Sequence, residues 1–111
     1  MDAQLYQQKA IVTAKQLSRR DALIHFALLV TSEAGEAADA IKKHVVYDKP
    51  LDDANLREEA GDLLWAVAYL CETKGWSMGD IMEENIQKLR RRYHQGGYSD
   101  QQAQARADKH G

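Results

Sequence analysis

Apolar residues recur along this chain at intervals of three and four, the spacing of one face of an α-helix, and no stretch alternates with the period of two that marks a strand. The first helical stretch runs from about Ala3 to Leu17, with Leu5, Tyr6, Ala10, Val12 and Ala14 as irregularly spaced apolar positions. The second begins near Asp21 and persists to about His44. Tyr47-Asp48-Lys49-Pro50 then stops it, because the residue before a proline is pushed out of helical geometry. A third follows a cap at Asp52 or Asp53 and ends near Lys74-Gly75, where glycine suits the left-handed residue that closes a helix. Ser77 followed three residues later by Asp80 is a capping-box-like start for a fourth, which continues to about Tyr93 ahead of Gly96-Gly97. Ser99 caps a last short helix through Ala107 in an otherwise polar tail. The pattern predicts an all-α four-helix bundle over residues 1–98, with residues 99–111 as a polar C-terminal tail or short helix.

Composition narrows the class. A chain of 111 residues forms one domain with a core, and 44% hydrophobic with 29% charged residues and a single proline describe a globular helical protein. A formal net charge of −2 gives no global attraction to nucleic acid or an anionic membrane, so any basic site is local. The one cysteine, Cys71, cannot form an internal disulfide and nothing near Met1 resembles a signal peptide, so a cytoplasmic protein is expected. No membrane span is expected either, since the most apolar run, Leu23 to Val30, is far shorter than the roughly 20 residues a bilayer requires.

Two pairs of acids stand out against this background. At about 100° per residue, Glu33 projects within about 40° of Phe26, Leu29, Ala37 and Ala40, an apolar neighbourhood, and Glu36 lies one turn on, nearer the polar sector of Asp39 and Lys43. On the third helix Glu59 lies beside Leu63 and Ala66, and Asp62 beside Ala66, Tyr69 and Thr73, flanking a predicted core stripe of Leu56, Ala60, Leu63, Leu64, Val67 and Cys71. One E-x-x-E on a helix is ordinarily a pair of solvated charges. A second pair on a neighbouring helix is different, because four carboxylates brought together without a cation repel and protonate. A divalent cation resolves that conflict, and hard oxygen ligands with no cysteine or histidine in register favour Mg²⁺, with Mn²⁺ as a substitute. On the fourth helix Asn85, Lys88 and Arg92 share a face beside the apolar stripe of Met82, Ile86, Leu89 and Tyr93. Phosphate-suited donors with an anionic metal cage are the combination a nucleoside triphosphate requires.

The blocks "SEAGEAADAIKK", "EEAGDLLWAVAYL" and "NIQKLRRRYHQGGYS" resemble, in order and in spacing, the MazG-type all-α nucleoside triphosphate pyrophosphohydrolases, in particular their short single-domain bacterial and phage forms, over about Tyr6 to Tyr98. The resemblance implies the bundle of the MazG and dimeric dUTPase type, Glu33, Glu36, Glu59 and Asp62 as Mg²⁺ ligands, and Lys88, with Asn85 and Arg92, as contacts to the triphosphate. It implies hydrolysis of a (d)NTP to the monophosphate and pyrophosphate, Glu36 being the candidate general base, and assembly as a homodimer or homotetramer with apolar surface on Trp65, Tyr69 and Trp76. Location in the cytoplasm, the host's if phage-encoded, goes with it. One position departs: family members often carry glutamate directly before the first metal glutamate, where this chain has Ser32.

Other readings make distinct demands. A di-iron carboxylate bundle needs Glu-x-x-His, and the residues three before His25, His44, His94 and His110 are Ala22, Ile41, Arg91 and Ala107. The histidines are therefore expected at the surface or beside the site, and Cys71 as a packed thiol. A helical interaction module or nucleic-acid binder using Arg90 to Arg92 has to treat both acidic pairs as coincidence, so no polynucleotide partner is expected. Within the enzyme class, a relative specific for dUTP, dCTP or phosphoribosyl-ATP is the alternative.

Overall fold

The computed structural model describes residues 1–109, and its regular structure is wholly helical there: α1 (Ala3–Ile11), α2 (Arg19–Val46), α3 (Asp53–Lys74), α4 (Met78–Arg92), α5 (Asp100–Ala105) and a 3₁₀ turn (Ala107–Lys109). The all-α expectation holds, although its last two residues, His110 and Gly111, lie outside the described residues. Side-chain caps start α1, α2, α3 and α5. Asp2, Ser18, Asp52 and Ser99 each accept a hydrogen bond from the backbone N–H three residues on, which satisfies one of the donors a helix start leaves open. At the end of α3, Gly75 has φ 72° and its N–H bonds back to Cys71 and Glu72, the left-handed closure expected of a glycine there.

The largest departure from the expected elements is α1, which stops at Ile11 rather than Leu17. Its last carbonyls are taken up by competing donors: the Thr13 hydroxyl and the Trp65 indole N–H both donate to the Ala10 carbonyl, at 2.7 and 3.2 Å. Trp65 also donates to Thr13 Oγ1 at 2.9 Å, so a residue of α3 pins the turn that follows α1.

The described chain divides into two compact units, Met1–Met78 and the remainder from Gly79 on. In the first, α2 and α1 both pack on α3, and the buried apolar residues are mostly small, Ala10, Ala22, Ala40, Ala66 and Ala68, joined by Tyr69, Cys71 and Met78. Small side chains let helix axes approach closely. The Gln7 side chain adds a polar clasp, donating to the Trp76 carbonyl at 2.9 Å and accepting from the Met78 N–H at 2.7 Å. In the second unit the C-terminal segment is fixed to α4 by Arg92 and Asp108.

The buried face of α3 matches the predicted stripe only in part: Cys71 is buried and Leu56, Leu63 and Val67 are half-buried. Ala60 is exposed and Leu64 is 50% exposed, whereas Glu59, Ala66 and Tyr69 are buried. Glu59 therefore turns inward while Leu64 turns out. On α2, Ile24, Leu28 (63% exposed) and Val45 (70% exposed) point away from Glu33 and are left uncovered. Of the aromatics expected at the surface, Trp76 is exposed, whereas Trp65 is half-buried and Tyr69 is buried.

Candidate metal centre

Glu33 from α2 and Glu59 and Asp62 from α3 converge, one carboxylate oxygen of each lying within 4.8 Å of the others. Clusters of exposed acids are common on protein surfaces, but this one is partly removed from water: Glu59 is 6% exposed and Glu33 half-buried, with only Asp62 open to solvent. The Oε2 atoms of both Glu33 and Glu59 are shut off from solvent without a hydrogen-bond partner. A buried oxygen left unpaired is costly, so the arrangement asks for a cation or a proton. The Glu59 carboxyl is pushed up to about 8, chiefly by its hydrogen bond with Glu33, then by burial, then by the hydrogen bond and charge of Glu36 and the charge of Glu33.

Glu36 is exposed and sits with Glu59 on an open cleft of about 530 Å³, lined also by Ser32, Gly35, Asp39 and Asn55. All four acids singled out from the sequence therefore belong to one neighbourhood, three as a converging cluster and Glu36 beside Glu59. The donor set is oxygen only, which fits a hard divalent cation such as Mg²⁺ or Mn²⁺. Asp39 shares the cleft but is tied to Lys43 at 3.0 Å, an exposed i, i+4 pair. Asn55 escaped the sequence reading, although its position one helical turn before Glu59 puts it on the same face. Tyr6 was also missed in this role: burial and the charge of Asp62 both raise its phenol, so α1 brings that hydroxyl within the field of the cluster. Nothing in the irregular apolar spacing of α1 signals it.

The phosphate-suited donors lie on α4, in the second unit. Asn85 is exposed and Lys88 half-buried. Arg92 is already engaged: its Nε and Nη2 donate to the two oxygens of Asp108 at 2.8 and 3.2 Å, a bidentate pair that raises the guanidinium and holds the Asp108 carboxyl down at about 2. Sequence spacing could not reveal this use of Arg92, since its partner is 16 positions away in the tail. Cys71 is buried, and burial raises its thiol, consistent with a packed rather than a reactive side chain. His25 is half-buried, its ring edge-on to Tyr69 at 5.3 Å.

An all-α chain that turns the acids of two adjacent helices toward one partly dry point has the construction of a helical protein built around a hard cation. The family model of the MazG nucleotide pyrophosphohydrolase domain matches residues 23–96, and the chain belongs to that family. The match takes in both acidic pairs and the α4 donors and leaves α1 and the C-terminal segment outside. No curated protein and no solved structure matches the chain. Membership implies a hydrolase acting on nucleoside triphosphates.

Proposed function

We infer that this protein is a Mg²⁺-dependent pyrophosphohydrolase that converts a (d)NTP into the (d)NMP and pyrophosphate in the cytoplasm. The observation that carries the reading is the pair of buried, unpartnered oxygens on Glu33 and Glu59 converging with Asp62. Glu33, Glu36, Glu59 and Asp62 would hold the cation, with Mn²⁺ as a substitute. Bound there, a divalent cation neutralises polyphosphate charge and makes nearby water more acidic. The chain's own residues do the rest. Glu36, open to the cleft, takes the proton of the attacking water as its oxygen adds to the α-phosphorus. The α–β anhydride bond breaks and pyrophosphate leaves with the bonding pair. Lys88 and Asn85 contact the phosphates, with Arg92 in support once its Asp108 pairing is exchanged for phosphate, an exchange of one oxyanion for another. Measuring Mg²⁺-dependent pyrophosphate release over the common and modified (d)NTPs tests the assignment. Turnover of several substrates is expected; confinement to dUTP, dCTP or phosphoribosyl-ATP identifies a specialised relative, and no release from any of them overturns the reading.

The same reading includes assembly. Ile24, Leu28 and Val45 on α2 and Leu64 on α3 are large apolar side chains left exposed, and a second copy is the partner that would cover them. Light scattering is expected to give the mass of a dimer or tetramer, and Leu28→Asp to shift it toward the monomer. A wild-type protein that is active as a stable monomer contradicts this.

A further inference from the structure

The C-terminal segment is held to α4 by charge more than by packing. Over residues 99–109 the chain has no apolar side chain larger than alanine, so burial contributes little to holding it down. Its six-residue α5 and the 3₁₀ turn are shorter than the roughly 12–15 residues an isolated helix needs in water. Several features weigh against the docked arrangement. Arg106 has φ 53° and ψ 50°, left-handed backbone that a side chain disfavours. Its Nε is shut off from solvent without a hydrogen-bond partner, and so is Oε1 of the buried Gln102. Against these stands the fork from Arg92 to Asp108, at 2.8 and 3.2 Å, with the Asp108 side chain wholly removed from water and that of Arg92 18% exposed. Arg106 Nε approaches the same carboxylate at 3.7 Å, so two guanidinium groups face one acid.

A carboxylate gripped by both Nε and Nη2 makes the contact that a phosphate would make with the same edge of arginine. That edge of Arg92 is therefore filled by an internal oxyanion, and Asp108 and a polyphosphate cannot hold it together. The segment that fills it lies beyond residues 23–96, the part of the chain that the family model matches, so it is an addition to the shared domain. A weakly packed arm thus has its strongest bond at a cation suited to phosphate. We propose that the C-terminal segment is an internal competitor of the substrate: Asp108 occupies the phosphate-binding edge of Arg92, and an incoming polyphosphate displaces it and releases residues 99–109 from α4. This deepens the reading of Arg92 as a triphosphate contact and rests on it. The apparent affinity for nucleotide is then reduced by the fraction of molecules in which the segment is docked.

Asp108→Asn keeps the shape of the side chain and removes its charge. In the full chain it is expected to lower KM for a (d)NTP by about fivefold as the docked fraction falls, with kcat within about twofold. Asp100→Asn takes the same charge from the same segment, where the acid pairs with the Tyr98 hydroxyl rather than Arg92, and should leave KM unchanged. In an Arg92→Ala background, which has no guanidinium to mask, adding Asp108→Asn should change KM by less than about twofold. Hydrogen–deuterium exchange read by mass spectrometry needs neither turnover nor a variant. In the wild type the amides of Ala103, Arg106 and Lys109 donate to the carbonyls of Ser99, Gln102 and Arg106 at 3.0, 3.2 and 2.8 Å. They should exchange faster when inorganic tripolyphosphate is added with Mg²⁺, and no such response is expected in Arg92→Ala. A KM that rises in Asp108→Asn would mean that Asp108 orients Arg92 for the substrate, and a KM that does not move would make the pair a structural tie. Either result, or exchange unaltered at saturating tripolyphosphate, overturns the proposal while leaving the pyrophosphohydrolase reading intact. A wild type that releases no pyrophosphate from any nucleotide fails that reading instead, and the exchange measurement still decides whether polyphosphate displaces the segment.

Discussion

Glu59→Gln is expected to lower Mg²⁺-dependent pyrophosphate release by on the order of a thousandfold or more, because it removes one unit of the negative charge that holds the cation at the reacting phosphates. The substitution is nearly isosteric and the amide can still hydrogen-bond Glu33, so far-UV circular dichroism should be unchanged. Glu33 and Asp62 complete the same cluster, and Glu33→Gln and Asp62→Asn should match it in direction. Asp39→Asn is the informative contrast. Asp39 lines the cleft beside Glu36 and Glu59, but it is exposed and paired with Lys43, so its loss should cost less than about tenfold. Comparable losses in Asp39→Asn and Glu59→Gln would mean that the cleft's overall charge, rather than the three convergent oxygens, sustains the reaction. A fully active Glu59→Gln protein would remove that residue from the mechanism.

Much of this architecture was legible because its signals are local. A cap is decided by a side chain and a backbone N–H three residues away, so Asp52 and Ser99 declare the starts of α3 and α5, and Gly75 declares the end of α3 by its tolerance of positive φ. The two acidic pairs were legible for the same reason, since the faces of α2 and α3 follow from helical periodicity alone. What periodicity cannot say is which of two faces a neighbour covers. The leucines of α3 suggested a core stripe, yet the face that packs inward carries Glu59, Ala66 and Tyr69 while Leu64 faces out. An isolated sequence gives no count of partner copies, and the proposed assembly would reserve that apolar face for a second copy rather than for the chain's own core. Contacts distant in sequence were equally hidden. Trp65 ends α1 from more than fifty residues away, and Asp108 claims Arg92 from the far end of the tail.

The proton on Glu59 makes the metal requirement measurable without any substrate. Its carboxyl stands at about 8 in the folded protein against an ordinary value of 4.5, so the folded state holds a proton that the unfolded chain releases. A group raised in this way contributes its stability in full below the unfolded value and loses it as pH climbs through the folded one. In excess chelator the melting temperature should therefore fall as pH rises from about 5 to about 8, most steeply between about 5.5 and 7, and level off above about 8. Glu59→Gln should flatten that decline, since the amide has no proton to lose. Adding Mg²⁺ reverses the dependence, because the cation must displace the same proton and so binds more tightly as pH rises. The gain in melting temperature on adding Mg²⁺ should thus be larger at pH 9 than at pH 6 in the wild type, and small at both in Glu59→Gln. A chelated wild type whose melting temperature is flat across this range, with a Mg²⁺ gain independent of pH, would mean that Glu59 carries no shared proton and that the cation binds elsewhere.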